Sequence, residues 1–188
     1  DKGIKEVTLL GQNVNSYRAK NGDSPEKMGQ SPFFVKLLEQ INNINGIERI
    51  KFMTSHPKDA SEDLFMAMRG LNKIVKHLHL PLQSGSDKIL KAMNRGYTAK
   101  KYLSLVESLR KIVPSCNLTT DIIVGFPGEA KADFKKTRDL MKKIKFDAAY
   151  IFKYSPRSPA ASSKLKDNVP QEEKERRNQS LLKLLKER

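Results

Sequence analysis

Two histidines and a glutamine lie close together in the segment KHLHLPLQSGSDKILKAMNRGYT, residues 76–98, and could do chemistry there. His77 and His79 alternate with leucines, and this period of two predicts a strand with both imidazoles on one face. Two histidines at this spacing could bind a metal ion. We interpret them instead as polar residues satisfied by their neighbours, because no third histidine or carboxylate of suitable spacing lies nearby. The segment therefore predicts no metal site.

Polar side chains follow the ends of five predicted strands. The strands are predicted to begin near residues 6, 47, 77, 117 and 147, where each run is rich in β-branched, aromatic or leucine residues. They lead into the runs GQN, TSHP, QSGSD, DIIVGFPGE and KYSPR. The carboxyl ends of parallel strands form the ligand site of α/β folds. Amides, hydroxyls and glycines at all five ends predict a site for a polar small molecule such as a cofactor.

The run QSGSD has two interpretations when it is taken alone. Ser86 and Asp87 would cap the short helix KILKAMN, and Arg95 beyond it could make a two-pronged contact with a carboxylate. The alternative is ordinary turn and capping chemistry, with Arg95 as a surface base. The five strand ends together favour a binding site.

Amphipathic helices are predicted between the strands, within residues 31–46, 59–70, 98–114 and 128–145. Alternating strands and helices predict a parallel sheet, because each helix must return the chain to the start of the next strand. An open doubly wound sheet and a full or partial barrel both fit this order. The mixed apolar and polar faces of residues 77–83 favour the barrel, whose interior face can be polar at its mouth.

Length, cysteine content and charge limit the class of protein. The 188 residues contain one cysteine, Cys116, which excludes an internal disulfide and a multi-cysteine metal site and favours a cytosolic setting. No apolar run approaches the roughly 20 residues of a membrane span, so we predict no membrane partner. The formal charge of +15 favours an anionic partner such as nucleic acid, although a lysine-rich surface is the alternative. The oligomeric state is not predicted.

Two further segments are predicted to be a surface loop and a C-terminal helix. Residues 18–32 are polar and contain glycine and proline, which predicts a long surface loop. Residues 169–188 predict a capped, charged helix with leucines at 181, 182, 184 and 185. We therefore divide the chain into a core at residues 1–168 and a C-terminal helix at residues 169–188.

The runs LLGQNVNSY, RIKFMTSHPKD, HLHLPLQSGSDKILKAMNRGYT, TTDIIVGFPGE and FKYSPR together resemble the radical S-adenosylmethionine (SAM) methylthiotransferases. The resemblance extends from about Val7 to Arg157 in unbroken order, and FMTSHP and LQSGS resemble the tRNA-modifying branch. It implies an α/β fold, a partial (βα)6 TIM-like barrel of the radical SAM type that lacks its first βα unit.

The resemblance implies an enzyme that modifies tRNA. The family binds SAM at the strand ends and carries two four-iron four-sulfur (4Fe-4S) clusters, one of which cleaves SAM to a 5′-deoxyadenosyl radical. The radical abstracts hydrogen from C2 of N6-isopentenyladenosine at position 37 of tRNA, and a methylthio group is then installed. The expected partner is the tRNA anticodon stem-loop. Another tRNA adenosine, or a ribosomal protein, is the alternative substrate.

Five residues are matched to the methionine and ribose end of SAM by the resemblance. Gln12 and Asn13 are expected to contact the methionine amino group. Gln83, Ser84 and Arg95 are expected to meet the ribose or the carboxylate. All five follow from the resemblance.

Three more residues are matched to the cofactor at the fourth and fifth strand ends. Asp121 is expected to bind it, Gly125 to form a backbone shelf under the adenine, and Tyr154 to border the adenine. A glycine fits such a shelf because a bare backbone permits close approach.

The sequence departs from the family at the cluster ligands. The family's CxxxCxxC triad, its second cluster-binding domain and its RNA-binding domain are not matched, so we expect a fragment of a longer enzyme, inactive alone. We also expect weak SAM binding, because the iron that would hold one end of SAM is missing. Two alternatives from other classes are a metal-dependent barrel hydrolase using His77 and His79, and a non-catalytic RNA-binding module.

Overall fold

The computed structural model describes residues 3–17, 32–53, 55–156, 158–159 and 161–187. These residues form two compact units. The first unit is Asp1–Pro81 with Ser104–Leu118, and the second is Leu82–Leu103 with Thr119–Arg188. Strand and helix alternate along the chain in both units, as the sequence predicts.

The first unit contains a parallel βαβ arrangement. Strand β1 (Glu6–Leu9) pairs with β2 (Arg49–Phe52), and Glu6 is opposite Arg49 while Leu9 is opposite Phe52. Helix α1 (Pro32–Asn42) connects these strands, and α2 (Glu62–Gly70) and β3 (His77–His79) follow. Because two parallel neighbours need a crossover between them, α1 is what makes this pairing possible.

Apolar side chains from α1 and β2 form part of the core of the first unit. Phe34 and Phe52 meet edge to face with ring centroids 5.3 Å apart, and both are buried. Leu38, Ile50 and Leu64 are also buried. The Ser61 hydroxyl accepts a hydrogen bond from the Leu64 N–H at 3.3 Å and so caps the start of α2.

The second unit is built on the pairing of two parallel strands. Strand β4 (Asn117–Val124), most of which belongs to this unit, pairs with β5 (Ala148–Lys153), and Thr119 is opposite Ala148 while Val124 is opposite Lys153. Its helices are α3 (Asp87–Ala92), α5 (Lys131–Ile144) and α6 (Gln171–Lys186), while α4 (Ala99–Ile112) has residues in both units.

Burial alternates along β4 in the second unit. Thr120, Ile122 and Val124 are buried, whereas Asp121 and Ile123 on the other face are half-buried. Tyr150 and Phe152 lie opposite Asp121 and Ile123 in the register and are 59% and 52% exposed. One face of the strand pair is therefore covered and the other is open.

Some predictions of local structure fall outside the described residues. They include Ser31, Thr54, Arg157 and the loop predicted at residues 18–32, except for Pro32, which is the first residue of α1. Within the described residues, no helix is long and apolar enough to cross a lipid bilayer. The predicted boundary between residues 168 and 169 stays a prediction.

Candidate functional site

Gln83 occupies an unusual position at the edge of β4. Its N–H donates to the Asp121 carbonyl at 2.8 Å and its carbonyl accepts from the Ile123 N–H at 3.0 Å, so one residue is hydrogen-bonded on both sides of Ile122. The backbone angle φ is +65°, a conformation that costs a residue with a side chain free energy. The side-chain oxygen Oε1 is buried and has no hydrogen-bond partner among the described residues. An orphaned buried acceptor of this kind indicates a missing donor.

The turn after Gln83 is bonded to α5. The Gly85 N–H donates to Thr137 Oγ1 at 2.9 Å, and a Cβ at Gly85 would lie 2.6 Å from Thr137 Cα. The Ser84 hydroxyl lies 3.3 Å from Thr137 Oγ1 and also accepts from the Ser86 N–H at 3.2 Å. Ser84 is fully buried and its hydroxyl is bonded within the turn and to α5, while its predicted contact with the cofactor stays a prediction.

Ser86 precedes α3 but does not cap it with its side chain, which corrects the sequence prediction. Its hydroxyl donates instead to Asp133 Oδ1 at 2.7 Å. Burial alone would raise the pKa of Asp133, but the hydrogen bonds from Ser86 and from the Ala130 N–H, with the charge of Lys88, hold it below its ordinary value. Asp87, the other predicted cap, accepts from the Ala99 N–H at the start of α4.

Arg95 and Tyr97 follow α3 and return the chain toward Gln83. The Tyr97 hydroxyl donates to the Leu82 carbonyl at 3.1 Å, and burial raises the pKa of Tyr97 to about 12. Arg95 is half-buried and its Nε has no hydrogen-bond partner among the described residues. Its guanidinium is therefore a second group with unused hydrogen-bonding capacity.

The turn after β4 is held by a residue of α6. Gly125 has φ +72°, and a Cβ there would lie 2.3 Å from Lys174 Cγ. Its N–H donates to Glu129 Oε2 at 2.7 Å. The close neighbour that requires glycine is therefore Lys174 of this chain, and the Gly125 N–H already has an acceptor. The predicted place of Gly125 under the adenine stays a prediction.

A buried ion pair joins this turn to α6. Arg177 Nη1 lies 2.6 Å from Glu129 Oε2 and also donates to the Glu129 carbonyl at 3.0 Å. The side chains are 4% and 0% exposed. Burial raises the pKa of Glu129 above its ordinary value, against the opposing effects of the Gly125 N–H and of Arg177. On its other side Arg177 contacts Glu173 at 2.8 Å.

Lys174 makes the second buried contact from α6. Its Nζ lies 2.5 Å from Asp167 Oδ2 and 3.4 Å from the Tyr154 carbonyl. It also lies 5.4 Å from the centre of the Tyr154 ring, within the range of a cation–π interaction.

Segments that follow three predicted strand ends meet in one apolar cluster. Phe126, which follows β4, and Tyr154, which follows β5, have ring centroids 5.0 Å apart. Ile89 of α3 completes the cluster, and Met93 and Ile123 pack against it. The Tyr154 hydroxyl donates to the Ser162 carbonyl at 2.8 Å, so only its ring is available to border a ligand.

The described structure relates the predicted site residues of the second unit in two pairs. Gln83 is bonded to the backbone of Asp121, and Lys174 lies against both Gly125 and Tyr154. We call Gln83, Asp121, Gly125 and Tyr154 the strand-end site. The parallel pairing of β4 and β5 places their carboxyl ends at the same edge of the sheet, where Gly125 and Tyr154 follow directly.

Gln12 and Asn13 belong to the first unit, where both are exposed. They precede a short 3-10 turn at Val14–Ser16, whose Asn15 is buried. Asn15 bonds in both directions with the backbone of His56, donating to its carbonyl at 3.0 Å and accepting from its N–H at 2.7 Å. The first and second strand ends are thereby linked, and the roles of Gln12 and Asn13 stay predictions.

Sequence reasoning missed the residues that support the strand-end site. Lys174 and Arg177 were included in a charged helix, yet they precede Leu181 by seven and four positions and so share its inward face. Asp133 and Thr137 are similarly spaced on the inner face of α5. Helical spacing from a predicted apolar residue could have found both pairs.

The chain offers no ligand set for a metal cluster within the described residues, where no group of three or more His, Cys, Asp or Glu is placed to hold a metal ion. Cys116, the one cysteine of the sequence, is half-buried. A 4Fe-4S cluster requires three or four cysteine thiolates, so the residues of this chain do not fit one.

The fold and the site together define a class of protein. The family model of the Radical SAM superfamily matches residues 1–141, three quarters of the chain, and the chain belongs to that superfamily.

Curated relatives are similar over almost the whole chain and are named tRNA-2-methylthio-N(6)-dimethylallyladenosine synthase. The protein of Caldicellulosiruptor saccharolyticus is 54% identical over 98% of this chain and 38% of its own length. The protein of Acetivibrio thermocellus is 51% identical over 96% of this chain and 36% of its own length. The resemblance to methylthiotransferases is thus confirmed. The chain spans about two fifths of the length of these relatives.

Two solved structures share the fold. Coproporphyrinogen III oxidase from Escherichia coli, a radical SAM enzyme, matches with a TM-score of 0.66 and 18% identity over 84% of this chain and 38% of that one. Elp3 from Methanocaldococcus infernus matches with a TM-score of 0.57 and 16% identity over the same shares. The α/β fold of the radical SAM type, which the sequence predicted, is confirmed.

Proposed function

We propose that this chain is the SAM-holding part of an enzyme that methylthiolates an adenosine of tRNA. The observation that carries the proposal is its 54% identity, over 98% of its length, to a relative named for that reaction. The convergence of strand ends in the second unit supports the proposal, because radical SAM enzymes bind their cofactor at strand ends.

Two polar groups without hydrogen-bond partners among the described residues, on Gln83 of the strand-end site and on Arg95, suit SAM. Gln83 Oε1 is an unsatisfied acceptor, which suits the ammonium or a ribose hydroxyl of the cofactor. The Arg95 guanidinium, with Nε unpaired among the described residues, suits its carboxylate. In radical SAM enzymes the bound cofactor supplies a hydrogen-abstracting radical and, in methylthiolation, a methyl group.

The other members of the strand-end site would orient the cofactor. The Tyr154 ring, packed on Phe126, offers an apolar edge to the adenine. Gly125 would contribute backbone, positioned by Lys174 and Glu129, and Asp121 its carboxylate. In the first unit, Gln12 and Asn13 are proposed to contact the methionine amino group.

Two 4Fe-4S clusters are implied for the whole enzyme by the family. Since the residues of this chain do not fit a cluster, the proposed part of this chain in the reaction is to bind and orient SAM and to keep water from it. Its setting would be the cytoplasm, where tRNA is modified.

The proposed substrate is N6-isopentenyladenosine, also called N6-dimethylallyladenosine, beside the anticodon, with C2 as the atom that receives the methylthio group. The names of the relatives support this choice. The anticodon stem-loop is accordingly the proposed partner.

A chimera tests the proposal. These 188 residues would replace the matching 185 aligned positions in the Caldicellulosiruptor saccharolyticus relative. We expect the chimera to form 2-methylthio-N6-dimethylallyladenosine in tRNA, measured by mass spectrometry of tRNA nucleosides. Wild-type and cysteine-depleted relatives serve as positive and negative controls.

Two outcomes would contradict the proposal. One is a folded, cluster-loaded chimera that binds tRNA and SAM but forms no product. The other is methylthiolation of a ribosomal protein or of a different tRNA adenosine, which would keep the class of enzyme and overturn the substrate. For the 188-residue chain alone, calorimetry should detect at most weak SAM binding.

A further inference from the structure

The outer face of α5 carries an unbroken line of cationic side chains. Lys131, Lys135, Arg138 and Lys142 follow one another at intervals of four, three and four residues and are all exposed. Residues at this spacing lie above one another on a helix, and the line extends over roughly 16 Å at 1.5 Å per residue. We call these four residues the α5 stripe.

None of the four has an ion-pair partner within the described residues. Asp133, one of the two acids of α5, is buried and bonded to Ser86. The other, Asp139, lies on the outer face and within the described residues makes no ion pair with the stripe. The positive charge of the stripe therefore remains directed toward solvent.

Part of the stripe opposes the folding of α5, although Lys142 lies in the last turn, where the helix dipole favours a cation. Like charges at intervals of three or four residues repel each other by roughly 0.2–0.5 kcal/mol per pair. Lys131 is the first residue of the helix, where the helix dipole favours an anion instead. The inner face, with Phe134, Thr137 and Met141, already anchors the helix. Helix stability therefore does not explain a cation at the first position and a continuous row of like charges along the outer face.

We propose that the α5 stripe binds the phosphate backbone of the tRNA substrate. A linear row of unpaired cations matches a linear row of phosphates, and the excess charge of +15 favours a polyanion. Lysines that act as point charges position a nucleic acid without reading its bases. The choice of RNA over other polyanions rests on the proposed function.

The test measures tRNA binding by the 188-residue chain over a series of salt concentrations. The probe is an unmodified tRNA transcript, with filter binding as the readout. The stripe variant carries Lys131→Gln, Lys135→Gln, Arg138→Gln and Lys142→Gln. The matched control carries Lys36→Gln, Lys100→Gln, Lys111→Gln and Lys186→Gln, four exposed cations on other helices with the same loss of charge.

We expect the stripe variant to bind at least about tenfold more weakly at low salt and to lower the slope of log K against log salt by about 3, since each lost phosphate contact removes about 0.7–0.9. The control should keep a slope within about 1 of the parent chain. Circular dichroism should show both variants folded.

Several results would overturn the proposal. Equal losses in the two variants would show a general effect of net charge, and no loss in the stripe variant would place the RNA elsewhere. Absence of salt-dependent tRNA binding by the unsubstituted 188-residue chain would also overturn the proposal. Stripe-dependent binding to vesicles with 30% phosphatidylserine, without an effect on tRNA, would identify a lipid surface. A methylthiolating chimera in any of these cases would keep the proposed function and remove only this surface.

Discussion

Cations are used in opposite ways on α5 and on α6. Lys174 and Arg177 of α6 are 4% exposed at their side chains, and each has an acidic partner within 2.6 Å. The α5 stripe is exposed and unpaired within the described residues. Buried charges must be compensated because desolvation is costly, whereas exposed charges need no partner in the protein. The net charge of a basic chain thus combines structural cations with cations available to a ligand.

Removing a buried cation should have the largest effect. Arg177→Met leaves Glu129 buried without its partner, and we expect a loss of about 3–5 kcal/mol in the free energy of unfolding. Denaturant unfolding measures it. Arg176→Met is the matched control, because Arg176 is 59% exposed and its loss should cost far less stability than the loss of Arg177. Equal losses in the two variants would contradict the distinction between the buried and the exposed arginine of α6.

Replacing the glycine that accommodates Lys174 should have the second-largest effect on stability. Gly125→Ala would place a Cβ 2.3 Å from Lys174 Cγ at φ +72°, and we expect a loss of about 2–4 kcal/mol. Gly128→Ala is the control, since Gly128 has φ +83° but no heavy atom within 4 Å of an added Cβ. It should lose only the strain of the backbone, about 1–2 kcal/mol. A loss at Gly128 as large as at Gly125 would remove the role of Lys174.

Acid should weaken the ion pairs that Glu173 makes with Arg176 and Arg177 on α6. Hydrogen bonds from Arg176 and Arg177 outweigh partial burial and lower the pKa of Glu173 to about 2. A lowered carboxyl pKa gives stability that is present above the ordinary value near 4.5 and is lost as the pH falls toward 2. Glu173→Gln should therefore flatten the decline in melting temperature between pH 4.5 and pH 2. An unchanged decline would contradict this attribution.

Neutralising the α5 stripe should have the smallest effect on stability. The four Gln substitutions remove repulsion and break no ion pair among the described residues, so we expect a change within about 0.5 kcal/mol or a small gain. Thermal unfolding of the stripe variant beside the parent chain measures it. A loss above 1 kcal/mol would give the stripe a structural role like that of α6.

The sequence predicts the elements better than the contacts between them. Period-two and helical spacing identify β1–β5 and most helix ends, because these patterns reflect the local chain. The polar runs that contain Gln83, Gly125 and Tyr154 follow from the same patterns, whereas the roles of these three residues follow from the family resemblance. What the sequence does not reveal is the partner of each group, such as Lys174 for Gly125 or Thr137 for Ser84, because tertiary packing brings distant residues together.

Ser86 illustrates the same limit. Its type and position predict a cap of α3. Its hydroxyl donates instead to Asp133, a buried acid on α5 that the local sequence does not bring into view. Lys174 and Arg177 show the opposite case. Charged side chains are predicted to be exposed, and these two are buried because tertiary packing supplies acidic partners that the sequence alone does not identify.

SAM binding by a Gln83 variant of the chimera tests the central claim most directly. Gln83→Met keeps the side-chain length and removes the unsatisfied buried oxygen, so stability should be unchanged or slightly higher. We predict that equilibrium dialysis of the cluster-loaded chimera will show SAM binding weakened about tenfold, the effect of one lost hydrogen bond to a charged group. Unchanged SAM affinity in a stable Gln83→Met protein would contradict the assignment of the strand-end site to the cofactor.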